Sequence, residues 1–225
     1  MKLFLCMSIF LAAFLSVNAN LEKIFTQTYH QAIAGKWGNI ESVSGPGSTL
    51  EQTHKIRFFI PKILQEFSIA SIVDAPCGDF YWMRYINIGS CSYTGIDIVK
   101  PLISKNDELY ASSQHRFLTQ DLLLDPIPCA DLIICRDFLV HLSNADVKKA
   151  LSNFKASGAK YLLTTTFPSR NNHDIESSGW RPINLEAAPF FLPQPLIIIT
   201  EECTEQNGSY ADKSLALWRL ENIQF

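Results

Sequence analysis

Four apolar runs in the middle of the chain each end in a polar cluster that contains an aspartate. Residues 71–76 (SIVDAP) lead into Asp74-Ala75-Pro76-Cys77-Gly78-Asp79-Phe80, and residues 92–99 (SYTGIDIV) contain Gly95-Ile96-Asp97-Ile98. Residues 115–121 (HRFLTQD) lead into Thr119-Gln120-Asp121-Leu122, and residues 130–137 (ADLIICRD) end in Cys135-Arg136-Asp137. Short apolar runs bounded by turn residues read as buried strands. Helical patterns lie between them. Residues 80–88 are helix-like, residues 101–111 open on Pro101, and Ser143 with Asp146 starts a helix running to about Ala156. A further buried strand spans 160–167, and residues 195–202 and 213–220 read as two closing strands. Their connection holds the turn pair Asn207-Gly208. Strand–helix alternation gives a parallel sheet with right-handed crossovers, and the last two strands suggest an antiparallel edge. The predicted fold class is α/β: one doubly wound sheet, mostly parallel, with an antiparallel C-terminal strand pair. In such sheets ligands bind beyond the carboxyl ends of the strands, where the four aspartates fall.

Composition narrows the function classes. With 47% hydrophobic and 18% charged residues, the chain carries too much apolar material to be disordered. Its 225 residues fit one domain, since single α/β domains reach ~200–250 residues. Lys and Arg number 19 against 22 Asp and Glu, for a net charge of -3. No nucleic-acid partner is expected from that balance, nor a basic surface for membranes.

The first residues, MKLFLCMSIFLAAFLSVNAN, place one lysine before an apolar run from Leu3 to Val17, then Val17-Asn18-Ala19 at a cleavage-like position. This is a secretory signal pattern over residues 1–19, and the run is shorter than the ~20 residues a membrane span needs. An uncleaved anchor and a plain N-terminal helix are the other readings. The pattern predicts a secreted or periplasmic protein. An uncleaved leader would give a membrane-anchored protein instead, and cysteine usage pulls toward a cytoplasmic one. Past the leader, Cys77, Cys91, Cys129, Cys135 and Cys203 make an odd set with no C-x-x-C pair, and Cys77, Cys129 and Cys135 sit in or beside strands, where a buried thiol is ordinary.

Residues 20–67 precede the first strand and read as a helical extension. Residues 21–47 begin amphipathically and end in the turn Ser44-Gly45-Pro46-Gly47-Ser48. Ser48 and Glu51 match a capping box for a helix to about Phe67, which Pro61 kinks or splits. Trp37 and the Ser44–Ser48 loop either close over a ligand as a lid or simply connect into that helix.

A carboxylate at a strand end accepts hydrogen bonds from a ribose diol or an exocyclic amine. Asp97 lies 23 residues after Asp74, close to the ~20 that separate a first turn from a ribose-binding acid. Taken singly, each aspartate is as easily a cap or turn residue. Gly78 permits close backbone approach.

These residues carry a resemblance. From about 70 to 167 the chain resembles the class I S-adenosylmethionine-dependent methyltransferases, whose first motif is usually acid-x-Gly-x-Gly-x-Gly. Asp74 and the middle glycine, Gly78, are kept, whereas Pro76 and Phe80 replace the outer glycines. The motif D-x-P-C-G-D-F is similar to that of one bacterial branch of the family. So are Trp37 to Ser48, Cys135 to Leu142, residues 160–167, 179–185 and 212–218. The resemblance implies a Rossmann-like seven-stranded methyltransferase domain over 20–225, S-adenosyl-L-methionine as cofactor and a small-molecule acceptor. It also implies that Asp74, Cys77 and Gly78 line the methionine part of the cofactor. Asp97 would take the ribose hydroxyls, with Ile98 on the adenine. Asp121 would accept from the adenine amine beside Leu122, and Arg136 and Asp137 would face the methyl group or cofactor carboxylate.

Methyl transfer needs alignment first and a base only for a protonated acceptor. Asp137 and His141 are four residues apart, so on one helix face Asp137 would position His141 as a base. The alternative is a buried histidine bonded to backbone. His173 and Asp174 follow the fifth strand and are candidates to shape the acceptor site, or are plain loop. The Pro- and Phe-rich stretch 189–195 reads as a rigid insert. It either covers an acceptor pocket, with Arg181 on an anionic group, or packs over the sheet edge.

Rival classes fit less well. A nicotinamide oxidoreductase requires G-x-G-x-x-G, which residues 76–81 do not form. No G-x-S-x-G elbow supports a hydrolase, and no H-x-x-x-H pair supports a metal centre. An exported, non-catalytic binding module on the same fold is the alternative function, because adenosylmethionine is made in the cytosol.

Overall fold

A computed structural model of the protein describes residues 21–38 and 41–224. The leader assigned to residues 1–19 lies outside the described residues. Seven strands form one sheet: β1 (Ser71–Asp74), β2 (Ser92–Asp97), β3 (His115–Thr119), β4 (Leu132–Cys135), β5 (Tyr161–Thr166), β6 (Ile197–Thr200) and β7 (Ser214–Arg219). Their order is β3-β2-β1-β4-β5-β7-β6. Strands β1 to β5 run parallel, and β7 lies antiparallel between β5 and β6. This is the predicted doubly wound α/β sheet with its antiparallel C-terminal pair. The strands stop short of their predicted carboxyl ends because the polar clusters turn out of the sheet. After β4, for example, Asp137 adopts a φ of 55°.

Helix α1 occupies residues 21–33. It is followed by α2 (His54–Glu66), α3 (Lys100–Tyr110) and α4 (Asn144–Ala156). Neighbouring residues in a strand face opposite layers. Ile72, Leu132 and Leu163 meet Ile56, Ile60, Ile63 and Leu64 of α2, whereas Val73, Ile133 and Leu162 meet Val147, Ala150, Leu151 and Phe154 of α4. Phe154 is fully buried, so its truncation to alanine costs about 3–5 kcal/mol. Ser143 caps α4 as expected, its hydroxyl accepting from Asp146 N at 3.2 Å.

Three local expectations change. Helix α2 starts at His54, not at a Ser48–Glu51 capping box, because residues 46–48 form a 3-10 turn. Thr53 occupies the cap, but its hydroxyl donates back to the Thr49 carbonyl at 2.7 Å. Pro61 stays inside a continuous helix, held by the apolar face that packs on the sheet. Residues 80–88 give only a 3-10 turn, Met83–Tyr85. Phe80, Trp82, Met83, Ile86 and Ile88 are all buried, which no single helix face allows.

The insert between β5 and β6 packs over the α4 side of the sheet. Ile183, Leu185, Phe190 and Leu192 join that core, and the Trp218 indole N–H donates to the Pro193 carbonyl at 2.7 Å. The five described cysteines are free thiols, all buried except Cys129. Among the described residues no helix is long and apolar enough to cross a membrane.

Candidate active site

The chain order reverses between β1 and β4, and the carboxyl ends of those strands and of β2 and β3 surround a cavity of about 200 Å³. Cys77, Gly78, Asp97, Ile98, Asp121, Leu122, Arg136, Asp137 and His141 all line it. The sequence reading therefore converges on one site for nine of its candidates.

Asp97 ends β2. Its carboxylate accepts from the backbone N–H of Gly78 at 3.2 Å and of Val99 at 3.0 Å. Burial pushes its carboxyl up to about 6, against those backbone donors. Each oxygen keeps a further lone pair for a ligand. Asp121, at the end of β3, accepts from Leu123 N at 2.8 Å and is also raised by burial.

Asp74 does not line the cavity. It faces the α2 layer, 2% exposed, and accepts from the Tyr93 hydroxyl at 2.7 Å. Burial pushes its carboxyl up to about 7, although the Tyr93 bond works against that. It is the last residue of β1, but its side chain turns into that layer and off the cavity wall. Phe80 explains one departure from the glycine motif. At φ 57° its ring fills an aromatic cluster, 4.9 Å from Tyr93 and 5.3 Å from Phe117.

The roof comes from the N-terminal extension. Leu21, Phe25, Thr28 and Tyr29 of α1 line the cavity, as do Trp37, Val43, Ser44 and Ser48. This roof is latched to the β1 turn. The Asp79 carboxylate accepts from the Ser42 hydroxyl at 2.9 Å, Val43 N at 2.8 Å and the Ser44 hydroxyl at 3.0 Å. Asp79 N donates to the Ser44 hydroxyl at 2.9 Å. Gly78 has a φ of +53°, and a Cβ there would collide with the Ser44 hydroxyl. These bonds fix the loop beside the cavity.

Under the other rim lies a buried ionic cluster. Arg136 pairs with Glu201 at 2.7 Å and with Asp137 at 3.3 Å, and it donates to the Gly47 carbonyl at 2.9 Å. Lys213 pairs with Asp137 at 2.6 Å. Burial alone would raise the Asp137 carboxyl, but Lys213 and Arg136 overcome it and hold it at about 2. Asp137 is accordingly ionised and engaged.

His141 is not oriented by Asp137. Its residue pair does not share a helix, since the segment is a 3-10 turn, Leu139–His141. Instead Nδ1 lies 2.8 Å from the Gly179 carbonyl, so Nδ1 carries the proton and Nε2 is the basic nitrogen. Burial lowers its pKa, which keeps the ring neutral at pH 7.

The three acceptor candidates lie elsewhere. Arg181 is 1% exposed, and its guanidinium donates to the His173, Leu139 and Val140 carbonyls and to Asn144 Oδ1. Asp174 accepts from Asn144 N at 2.8 Å, at the start of α4. His173 contributes its backbone carbonyl. Together they fasten the insert to the loop after β4, and commit four of the five N–H donors of Arg181 to the protein itself.

Sequence reasoning missed the α1 wall, the Ser42–Asp79 latch, Glu201 and Lys213. The spacing of Leu21, Phe25, Thr28 and Tyr29 is a helical face and was readable. Trp82 is buried and also lines the cavity. Glu201 and Lys213 stand at the ends of apolar strands 195–202 and 213–220, but nothing local pairs them with Arg136.

No family model matches the sequence, and no curated protein matches it. Solved structures do. The chain is similar to a Burkholderia thailandensis 1,6-didemethyltoxoflavin-N1-methyltransferase, solved with 1,6-didemethyltoxoflavin and S-adenosylhomocysteine. Identity is 14% and the TM-score 0.62, over 92% of this chain and 89% of that one. It is similar to the N-methyltransferase NodS of Bradyrhizobium japonicum WM9 at 15% identity and TM-score 0.54, over 77% and 97%. It is also similar to human N-acetylserotonin methyltransferase in complex with S-adenosylmethionine, at 13% identity and TM-score 0.53, over 72% of this chain. The chain spans about half (51%) of that human chain. These likenesses establish the fold: the protein has the class I methyltransferase fold.

Proposed function

We propose that the protein is an S-adenosylmethionine-dependent methyltransferase acting on a small-molecule acceptor. The observation that carries this reading is the cavity at the strand-order reversal. It has carboxylates at the ends of β2 and β3 and apolar Ile98 and Leu122 beside them. That donor set suits a nucleoside: acids for the ribose diol and the exocyclic amine, flat apolar surface for the base. The orphaned Trp37 indole N–H, buried with no partner, also fits a site that a polar ligand completes.

S-adenosylmethionine supplies an electrophilic sulfonium methyl when bound. In this reading Asp97 binds the ribose and Ile98 packs on the adenine. Asp121 accepts from the adenine amine beside Leu122, and Cys77 and Gly78 border the methionine part. Arg136 and Asp137 present an ordered ionic edge. Since Arg136 is held by Glu201 and Gly47, its contribution is orientation of the rim. Neutral His141 offers Nε2 to take a proton from the acceptor, steadied by Gly179. The α1 roof and the Ser42–Ser48 lid exclude water and limit the space to small acceptors, and the structural neighbours named above include enzymes named for small-molecule methylation.

The reading is tested by incubating the protein with methyl-labelled S-adenosylmethionine and a bacterial extract, separated by size. Label in the small-molecule fraction, lost in His141→Asn, supports it. Label confined to macromolecules, or no label from protein that binds the cofactor, contradicts it.

A further inference from the structure

Trp37 belongs to two cavities. Besides the one already described, it lines a second of about 300 Å³, whose other walls are Trp180, Glu205, Gln206 and Tyr210. These residues come from the N-terminal lid, the insert after β5 and the connection between β6 and β7. Only the fold assembles them.

The aromatic side is firmly built. The Trp180 and Tyr210 rings meet at 4.8 Å, and both lean on buried Phe167, at 6.3 and 6.2 Å. Trp180 nonetheless remains 42% exposed, an open ring face at the cavity.

The acidic side is only partly compensated, since Arg136 acts on Glu205 at longer range without pairing with it. Glu205 is half-buried, and its one hydrogen-bond partner is the weak Cys203 thiol at 3.6 Å. Among the described residues no Lys, Arg or His nitrogen lies within 4 Å of it. The cations nearby are engaged: Arg136 with Glu201, Lys213 with Asp137, and Arg170 with Asp212. Two cations, Arg136 and Lys213, thus face three carboxylates, Asp137, Glu201 and the more distant Glu205, so one negative charge is unmatched. Lys36 sits 4.7 Å from the Trp37 ring centroid and bonds to Gln31, so that ring already attracts a cation. Aromatic faces with an unpaired carboxylate attract an organic cation, through the ring quadrupole and by charge.

We propose that this second cavity is an acceptor-side subsite for an organic cation, an alkyl- or quaternary-ammonium group that serves as the acceptor's recognition handle. The group lies against Trp180 and Tyr210, and Glu205 neutralises it. The atom that receives the methyl group is a different part of the same molecule, reaching the first cavity past Trp37. This inference rests on reading that first cavity as the cofactor site.

The test uses the full chain labelled with nitrogen-15, following the indole N–H signals of its four tryptophans. Choline chloride is the probe, and 3,3-dimethyl-1-butanol is its uncharged isostere. Each is titrated at constant ionic strength, with and without saturating S-adenosylhomocysteine. Choline should shift the Trp37 and Trp180 signals and leave Trp218, bonded to Pro193, unmoved. The isostere should bind about tenfold more weakly, and Glu205→Gln should weaken choline by about fivefold. Equal binding of the two probes, or no shift of Trp37 and Trp180 in either state, overturns the inference without needing any variant. S-adenosylhomocysteine binding in the same samples separates the two claims. If it binds and choline fails, only the cation subsite falls. If choline passes and it fails, the cofactor reading falls and a cation site remains.

Discussion

Both carboxylate oxygens of Asp79 lie 2.9 Å from the hydroxyl of Ser42. One residue belongs to the turn after β1, the other to the loop that roofs the cavity. Removing the carboxylate should therefore release the roof without unfolding the sheet. Asp79→Ala should speed hydrogen exchange at residues 42–48, corresponding to a loss of about 1–3 kcal/mol of local stability. Exchange in β1, β4 and β5 should stay unchanged. Gly78→Ala should do the same, because its Cβ collides with Ser44. Uniform acceleration across the chain would count against a separable lid.

Asp97 should control cofactor affinity. Charge-assisted hydrogen bonds contribute about 1.5–3 kcal/mol, so Asp97→Asn should weaken S-adenosylhomocysteine at least about tenfold. Its carboxyl sits at about 6. Below that pH it is protonated and a poorer acceptor for the ribose diol. Wild-type affinity should fall as the pH drops from 7 to 5, and the variant's should not follow it. Calorimetry at both pH values checks this.

Asp74 should matter for stability and not for the ligand. Its carboxyl is raised to about 7 from an ordinary 3.8. Between those values the folded state binds more protons than the unfolded one, so stability falls as the pH rises, by up to about 1.4 kcal/mol per unit. Asp74→Asn keeps an acceptor for Tyr93 and removes this slope. Relative to wild type, the variant should gain at least about 1 kcal/mol between pH 4 and pH 8 in urea unfolding. Its S-adenosylhomocysteine affinity should be unaltered. Loss of binding would return Asp74 to the site.

The Arg136–Glu201 pair is buried on both sides, at 4% and 1% exposure. Glu201→Gln leaves Arg136 facing Asp137 and the Gly47 carbonyl alone. It should destabilise the fold by about 3–5 kcal/mol, whereas the double change Arg136→Met with Glu201→Leu should cost less than either single change. Chemical denaturation of the three variants measures this.

Much of the sheet was legible because its strands are short, apolar and bounded by aspartates. Each of the seven predicted strands corresponds to one in the structure. The aspartates at 97, 121 and 137 reach the cavity because they end or follow parallel strands. Asp74 also ends its strand, but it is level with Gly95, two residues short of Asp97, and its side chain enters the α2 layer, where Tyr93 claims it. Arg181 reads as a free cation in sequence and is buried among the carbonyls of nearby His173 and of Leu139 and Val140, some 40 residues away. The ionic cluster was illegible for the same reason: Arg136, Glu201 and Lys213 meet only after β7 inserts between β5 and β6.

The central claim is tested most directly by calorimetric titration of the folded protein with S-adenosylmethionine and S-adenosylhomocysteine, with NADH as control. The account predicts micromolar binding of the first two and none of the third. Absence of both in a protein with a cooperative thermal transition, or binding of NADH in their place, would contradict it.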